Sequence, residues 1–500
     1  MTLPTAVYTA ASVRQIEQSA IAAGTPGYTL MQRAGAAALA RLRQRWPSLR
    51  SVLVVAGPGN NGGDGLVLAR LARDAGIRAL VMLVGEVGAL RGEARQALED
   101  LRAAGMDVQH FDAAQLESHD LIVDALLGIG VRAPLKPAWQ AAIEAMNASQ
   151  RDIFSLDIPS GLEPDTGRPL PAVRATATLS FLALKAGLFL GEGPEHAGAL
   201  WFDALDVAPM PVVATSEGAL PALQRLEHDC LRAALPPRPR QSHKSTFGRV
   251  LVIGGGVGMP GAVRLAAESA LLVGAGLVTV ASRPEHLSAI VGARPELMFQ
   301  AVSRAADVDE MLAQADVVAI GPGFGRSDWA RELLQHVLAQ RRTAQHLVVD
   351  ADALNLIAEG IGLQHCDDWV LTPHPGEAAR LLGTSVQSVQ SDRLAALSAL
   401  CERRGGTVVL KGAATLVGHA QRVPRLCGKG NPGMAVPGMG DVLTGAVAGL
   451  LAQGGDPFTA ASAAVYAHAV AGDHCALNGL RGVLALDVAR ELRAVLAPLP

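Results

Sequence analysis

Cysteine is scarce in this 500-residue chain, and what there is lies scattered. Cys230, Cys366, Cys401, Cys427 and Cys475 are odd in number and include no Cys-x-x-Cys pair. That argues against a disulfide framework or a zinc site and suits a reducing compartment. Aromatic residues make up only 3% of the chain, and 43 lysines and arginines face 46 aspartates and glutamates, for a formal net charge of -3. Without a basic stripe or aromatic residues interleaved with basic ones, nucleic acid is not expected as a partner. No apolar run approaches the roughly 20 residues of a spanning helix, so no membrane partner is expected. The N-terminus, Met1-Thr-Leu-Pro-Thr-Ala-Val-Tyr8, lacks a basic region followed by an apolar core, and the expected location is cytoplasmic.

What the chain has in quantity is small and aliphatic. Half of it is hydrophobic and 54 residues are glycine, a composition suited to close-packed α/β layers in two to four domains of roughly 100–250 residues. Residues 12–45 place Val13, Ile16, Ala20, Leu30, Ala34, Ala38 and Leu42 at helical spacing and read as two helices broken at Gly24-Thr-Pro-Gly27. Ser51-Val-Leu-Val-Val-Ala56 reads as a central parallel strand. It runs into a loop, Gly57-Pro-Gly-Asn-Asn-Gly-Gly-Asp-Gly65, with a helix expected from Leu66. Strand, glycine loop and helix are how an open α/β sheet offers a phosphate or nucleotide site at its carboxyl edge.

This loop is neither a Gly-x-Gly-x-x-Gly fingerprint nor a P-loop. It sets Asn60, Asn61 and Asp64 among glycines, which serves as turn and cap chemistry or as a cluster of oxygen acceptors. Strands are also expected at 79–84, 121–124 and 153–157, the last two ending in Asp124 and Asp157. Loops after neighbouring parallel strands converge on one edge, so Asn61, Asp124 and Ser160 are placed to meet there, around a hard cation of low charge or as separate caps.

Asn60-Asn-Gly-Gly-Asp-Gly65, Asp124-Ala-Leu-Leu-Gly-Ile-Gly130 and Asp157-Ile-Pro-Ser-Gly161 resemble the signature loops of NAD(P)H-hydrate epimerase domains, over about residues 10–210. The resemblance implies that Asn60, Asn61, Gly62, Gly63 and Asp64, together with Gly128, Ile129, Gly130, Val131, Arg132, Ala133 and Pro134, hold the hydrated dinucleotide. It also implies a potassium ion (K+) on Asn61, Asp124 and Ser160, and a substrate contact from Asp157 as the acid/base candidate. The chemistry is consistent. C6 of the hydrate is a hemiaminal carbon, so protonating and releasing its hydroxyl gives an iminium that water can re-enter from either face.

Between Asp206 and Gly248 the pattern loosens, with Val207-Ala-Pro-Met-Pro211 and Leu235-Pro-Pro-Arg-Pro-Arg240 marking a linker. The expected domains are 1–214 and 215–500, without a sequence repeat between them. The second starts afresh at His243, with a strand into Gly254-Gly-Gly256 and a helix opened by Pro260-Gly-Ala262. Strands are expected at 277–281, 317–320, 347–350, 369–372 and 407–410, the last four leading into Gly321-Pro-Gly-Phe-Gly325, Asp350-Ala-Asp-Ala-Leu-Asn355, Thr372-Pro-His-Pro-Gly-Glu377 and Lys411-Gly-Ala-Ala-Thr415. The chain then reaches Gly438-Met-Gly-Asp441, followed by a small apolar run, Val442 to Leu451, expected as a helix. Taken alone this is a glycine turn with an aspartate cap. With the other loops converging on it, it becomes an anion hole at a helix N-terminus, with Asp441 placed to take a proton from a hydroxyl attacking phosphate.

These loops resemble the ribokinase-like fold, and within it the ADP-dependent (S)-NAD(P)H-hydrate dehydratases, across about residues 225–498. The resemblance implies that Lys411, Gly412, Ala413, Ala414, Thr415 and Gly440 lie along the adenylate, and that Ala262, Gly323, His374 and Asp441 contact the hydrated nucleotide. Asp441 is then the catalytic base, with ADP and Mg2+ as cofactors. Met439 stands where the family favours a small hydroxyl residue, and Gly256 where it favours serine; a change of rate or packing is expected from them, not loss of activity. The whole resembles the bifunctional NAD(P)H-hydrate repair enzymes: an α/β chain, with a Rossmann-like doubly wound sheet followed by a ribokinase-like domain, acting on NADHX and NADPHX as a homo-oligomer. Two other readings stay open at this stage, a ribokinase-like kinase of a small alcohol using ATP, and a first domain that serves as a non-catalytic dinucleotide sensor.

Overall fold

The computed structural model describes residues 3–207, 220–235, 237–343, 345–362 and 365–497. They form two compact units, Met1–Leu223 and Gln224–Pro500. The boundary expected near residue 215 lies outside the described residues. Among the described residues no helix is long and apolar enough to cross a membrane.

The first unit is built on a seven-stranded parallel sheet in the order Val108–His110, Arg78–Leu83, Ser51–Ala56, Leu121–Ala125, Asp152–Leu156, Ala177–Phe181, Ala199–Asp203. Alternation along Ser51–Ala56 serves both faces at once. Val52, Val54 and Ala56 pack with Ala34, Ala38 and Leu68, while Leu53 and Val55 pack with Ile143 and Met146, as a strand covered on both sides requires. The chain reverses direction across the sheet between Ser51–Ala56 and Leu121–Ala125, which opens a crevice at their carboxyl ends. Outside these seven strands, Ala6–Tyr8 pairs in parallel with Leu184–Lys185 and sets Tyr8 opposite Lys185.

One expectation is corrected here. The segment expected as a loop through Gly65 is already helical from Asn60, the helix running Asn60–Asp74 behind an extended Gly59. The glycines are there for close approach. Gly62 lies against the Gly57 carbonyl, and a Cβ on Gly63 or Gly65 would lie 2.5 Å from Met31 Cε or 2.6 Å from Ala125 Cβ. They seat the helix on the sheet and on Gly27–Arg45 instead of loosening the chain.

The second unit has seven parallel strands in the order Met298–Ala301, Leu277–Ser282, Arg249–Ile253, Val317–Ile320, His346–Val349, Trp369–Leu371, Thr407–Leu410, continued by the antiparallel Thr415–His419 and Arg422–Cys427. Three helices, Pro260–Leu272, Met439–Leu451 and Pro457–Cys475, share one core with Val250, Val252 and Val280. Small residues set the helix spacing: Gly445 lies against the Ala266 carbonyl, and a Cβ on Gly449 would lie 2.5 Å from Val273 Cγ2. The helix expected from Val442 starts three residues earlier, at Met439, because Gly438 at φ 92° supplies the left-handed N-cap. No side chain caps it, so Asp441 is a first-turn residue and not the cap.

Candidate functional site

In the first unit the three strand-end loops converge. Asp124 is fully buried. Its Oδ2 accepts from Ser155 Oγ at 2.8 Å and Ser160 N at 2.9 Å, and its Oδ1 from Ser160 Oγ at 2.5 Å and Leu126 N at 3.3 Å. Burial raises its proton affinity, and those four bonds oppose the rise. Ser160 Oγ accepts from Leu127 N at 2.7 Å, and the neighbouring Gly128 packs on Asn61, whose Cβ would be 3.3 Å from a Cβ there. Both polar atoms of the Asn61 amide are buried without a hydrogen-bond partner. The orphaned amide oxygen of Asn61, packed on the loop whose Leu127 bonds Ser160, is an acceptor of the kind a monovalent cation such as potassium takes, and the set is too weakly charged to demand a divalent one.

Asp157 follows its strand at φ 69°, a left-handed backbone that costs a non-glycine residue energy and clusters at functional sites. Its carboxylate holds the Lys185 ammonium and accepts from Phe181 N at 3.2 Å. Asp64 and Glu17 lie near enough to feel its charge. Burial, then Asp157, push both carboxyls up, Asp64 well above its ordinary value. Asn60, Gly130, Arg132, Ala133 and Pro134 are exposed, while Ile129 and Val131 are half-buried; the Ile129 carbonyl accepts from Arg14 Nη2 at 2.9 Å.

In the second unit the centre is Lys411. Its Nζ lies 2.8 Å from Asp350 Oδ1 and 3.9 Å from Glu377 Oε2. Asp350 also accepts from Thr372 Oγ1 at 2.8 Å and Thr444 Oγ1 at 2.7 Å. Burial alone would raise this carboxyl, but Lys411 and the two hydroxyls hold it below the ordinary range. Burial likewise works against the lysine ammonium, and Asp350 and Glu377 outweigh it. Gly440 closes over the pair, a Cβ there lying 3.3 Å from Lys411 Nζ. Asp441, one residue on, has its carboxyl pushed up to about 7 by burial and by Asp350, against the pull of Lys411.

His374 caps its helix: Nδ1 accepts from Gly376 N at 2.9 Å, its backbone N–H donates to Glu377 Oε2 at 2.7 Å, and desolvation, with Lys411 and Arg380 nearby, lowers the proton affinity of the imidazole. Glu377 is raised to about 7, chiefly by burial. Ala262 and Gly323 meet, with Ala262 Cβ 2.9 Å from where a Cβ on Gly323 would stand. The Lys411–Thr415 turn is braced from behind by Arg393, whose Nη2 donates to the carbonyls of Leu410, Lys411 and Ala414 at 3.2, 3.3 and 3.4 Å. Ala414 takes a left-handed φ of 56° within it.

Met439 is 7% exposed and belongs to the shared core. Its side chain therefore packs into the core, and only its backbone borders the hole. Sequence reasoning missed Lys185, Glu17, Asp350, Thr444, Arg393 and His468 as site residues. His468 lies beneath the hole, hydrogen-bonded to the Met439 backbone, its Nε2 without a partner and its proton affinity lowered to about 4, first by burial and then by Lys411. Lys185 left a signal, a lysine inside the apolar run Phe181-Leu-Ala-Leu-Lys-Ala-Gly-Leu-Phe189.

Residues 27–187 match the family model described as YjeF-related protein N-terminus, and residues 250–494 the one described as NAD(P)H-hydrate dehydratase. The bifunctional NAD(P)H-hydrate repair enzyme Nnr of Coxiella burnetii is 44% identical over 99% of this chain and 100% of its own length, and that of Escherichia coli 41% over 100% and 95%. A ribokinase-like superfamily protein of Enterococcus faecalis is 34% identical, covering 55% of this chain and 96% of its own, with a TM-score of 0.52. The chain belongs to the family of bifunctional NAD(P)H-hydrate repair enzymes.

Proposed function

We propose that the first unit interconverts the R and S epimers of hydrated NADH and NADPH, and that the second returns the S epimer to NAD(P)H at the expense of ADP. The observation that carries the second half is Asp441 in the first turn of a helix whose N-terminus is a glycine hole, next to a buried Lys411–Asp350 pair. A carboxyl of proton affinity about 7 exchanges its proton near neutrality. Asp441 takes the proton of the C6 hydroxyl, whose oxygen attacks the terminal phosphoryl of ADP while the bond to AMP breaks. Backbone N–H groups of the hole and the Lys411 ammonium face the negative charge that builds there. The C6 ester then leaves as phosphate, driven by the N1 lone pair, and loss of a proton from C5 restores the dihydropyridine. Mg2+ would be held mainly by the nucleotide's own phosphates, with Glu377 the nearest carboxylate, and would supply charge neutralisation. Potassium in the first unit would rest on Asn61, Asp124 and Ser160, and Asp157 would face the hydrated ring.

The test is a mixture of both hydrate epimers with Mg2+ and ADP or ATP, following absorbance recovery and nucleotide products together. Recovery with AMP and free phosphate in equal amounts is expected. A phosphorylated product that keeps the phosphate would establish the kinase reading instead. Asp441→Ala should abolish recovery, and Asp157→Ala should leave the R epimer to its spontaneous rate.

A further inference from the structure

The three carboxyls around Lys185 are not equivalent. Asp157 Oδ1 takes both the ammonium and the Phe181 N–H. Lys185 is fully buried and donates as well to Phe181 O at 2.8 Å and Ser180 Oγ at 3.2 Å, and it is pinned by a strand opposite Tyr8. Asp157 has its own backbone fixed at φ 69°. Asp64 and Glu17, in contrast, have no hydrogen-bond or ion-pair partner among the described residues. Asp64 is half-buried on a helix start locked by Gly62, Gly63 and Gly65, three residues beyond Asn61. Its carboxyl is held in place by its backbone, yet none of its oxygens is committed to the protein.

Charge then decides where a proton rests. Protonating Asp157 would leave the buried Lys185 ammonium without its counter-charge. Ionising Asp64 would add a negative charge beside Asp157 and Glu17, offset by Lys185. Glu17 is similarly placed, facing Asp157 and Glu93 against Lys185 and Arg14, but it lies on the neighbouring helix Ala10–Ala22, outside the glycine-bound segment.

We propose that Asp64 carries the proton of the epimerisation, and that Asp157, locked to Lys185, is the fixed anion opposite the cationic intermediate. This rests on the reading of the first unit as the epimerase and moves the acid/base role away from Asp157. In the forward step Asp64 gives its proton to the C6 hydroxyl, the C6–O bond breaks, water leaves, and the N1 lone pair forms the N1=C6 iminium. The Asp157 carboxylate balances that positive charge. Water then adds to C6 from either face, the N1=C6 electron pair returns to N1, and the surplus proton goes back to Asp64, so the cycle closes without net proton uptake. Lys185 is a positioning residue: it holds the Asp157 carboxylate in place opposite the intermediate, while the uncommitted Asp64 carboxyl handles the proton.

The experiment uses the full chain, with Mg2+ and excess ADP so that the second unit consumes the S epimer as it forms. Consumption of the R epimer is followed from pH 5 to 9, and dehydration of the S epimer serves as the internal reference. In the wild type, R consumption should fall at the alkaline end as Asp64 loses its proton. Asp64→Asn should bring R consumption to the spontaneous rate at every pH while S dehydration is unchanged. Asp64→Glu should restore part of the rate with the alkaline limb displaced. Lys185→Met should slow R consumption at least tenfold and move that limb upward, whereas a merely structural role would lower the rate without moving it. R consumption by Asp64→Asn above one third of the wild-type rate, with its alkaline limb intact, overturns the assignment. Wild-type consumption of R no faster than the spontaneous rate would overturn the epimerase reading itself, an outcome distinguishable from the first.

Discussion

Lys411 and Asp350 form an ion pair of 2.8 Å in which the carboxylate is 1% exposed and the ammonium 17%. Thr372 and Thr444 donate to the same carboxylate, one to each oxygen. Such a pair adds little net stability over a well-packed apolar core, but breaking it strands a buried charge, at a cost of about 3–5 kcal/mol. Asp350→Ala is therefore expected to lower the unfolding free energy of the second unit by about that amount and to remove dehydratase activity, because Lys411 loses its fixed direction. Urea unfolding with the second unit's transition resolved checks it. A loss below about 1 kcal/mol would mean that the pair is held by its surroundings.

Gly440 lies over that pair on a helical backbone, so a side chain there meets no φ penalty, only Lys411 at 3.3 Å from its Cβ. Gly440→Ala should leave the fold intact and displace the lysine from the phosphate path. About a tenfold loss in kcat/KM for the nucleotide is expected, equal to about 1.4 kcal/mol of transition-state binding. Steady-state kinetics with the nucleotide varied decides it; unchanged constants would remove Lys411 from the phosphate path.

Asp441 and Glu377 both have carboxyls raised to about 7. Asp441 acts as a base only when ionised, so the dehydratase rate should rise with pH through about 7 and level off above it. Stability runs the other way. A carboxyl whose folded proton affinity is raised above its unfolded value favours the fold at pH below about 4, and that contribution is lost as pH rises through about 7. Asp441→Asn should accordingly raise the Tm of the second unit, clearly more at pH 8 than at pH 5, while abolishing activity. Calorimetry at the two pH values tests the sign.

Much of this was legible in the chain. Parallel strands covered on both faces have to be continuous apolar runs, so Ser51–Ala56, Val317–Ile320 and Thr407–Leu410 stand out at their true bounds. What escaped was of two kinds. The sequence pattern puts helix starts at Leu66 and Val442 and the structure puts them at Asn60 and Met439, because glycine reads as loop whereas here it lets helices approach the sheet and Gly438 supplies a left-handed cap. The partners that hold the functional groups were also missed. Lys185 stands 28 residues from Asp157, Asp350 61 residues from Lys411, and Thr444 94 residues from Asp350. No local pattern in the chain joins residues so far apart; only the order of strands in the sheet does.

Met439 makes a separable case. Its side chain is buried in the core shared by the helices, while its backbone belongs to the hole and holds His468. Met439→Ser should therefore cost stability, about 2–4 kcal/mol for the lost burial and the void, without lowering kcat. A fall in kcat at full stability would place the side chain in the site after all.

Asn61 offers the test of the cation. An amide buried with neither its oxygen nor its nitrogen paired is costly unless something outside the chain's own donors meets it. If potassium takes the oxygen, replacing Asn61 with leucine removes a ligand and an unsatisfied group together. Asn61→Leu should then leave the first unit as stable as the wild type in sodium buffer, and abolish any gain in Tm and in R-epimer consumption that potassium gives the wild type. The comparison is made at constant ionic strength with potassium replaced by sodium, so that screening of the surface charges is the same in both arms. A variant that keeps the full potassium response would show that the ion is held without Asn61. A wild type that gains nothing from potassium would leave the buried amide to be satisfied by water or by the dinucleotide, and the three loops would then be a substrate cradle alone.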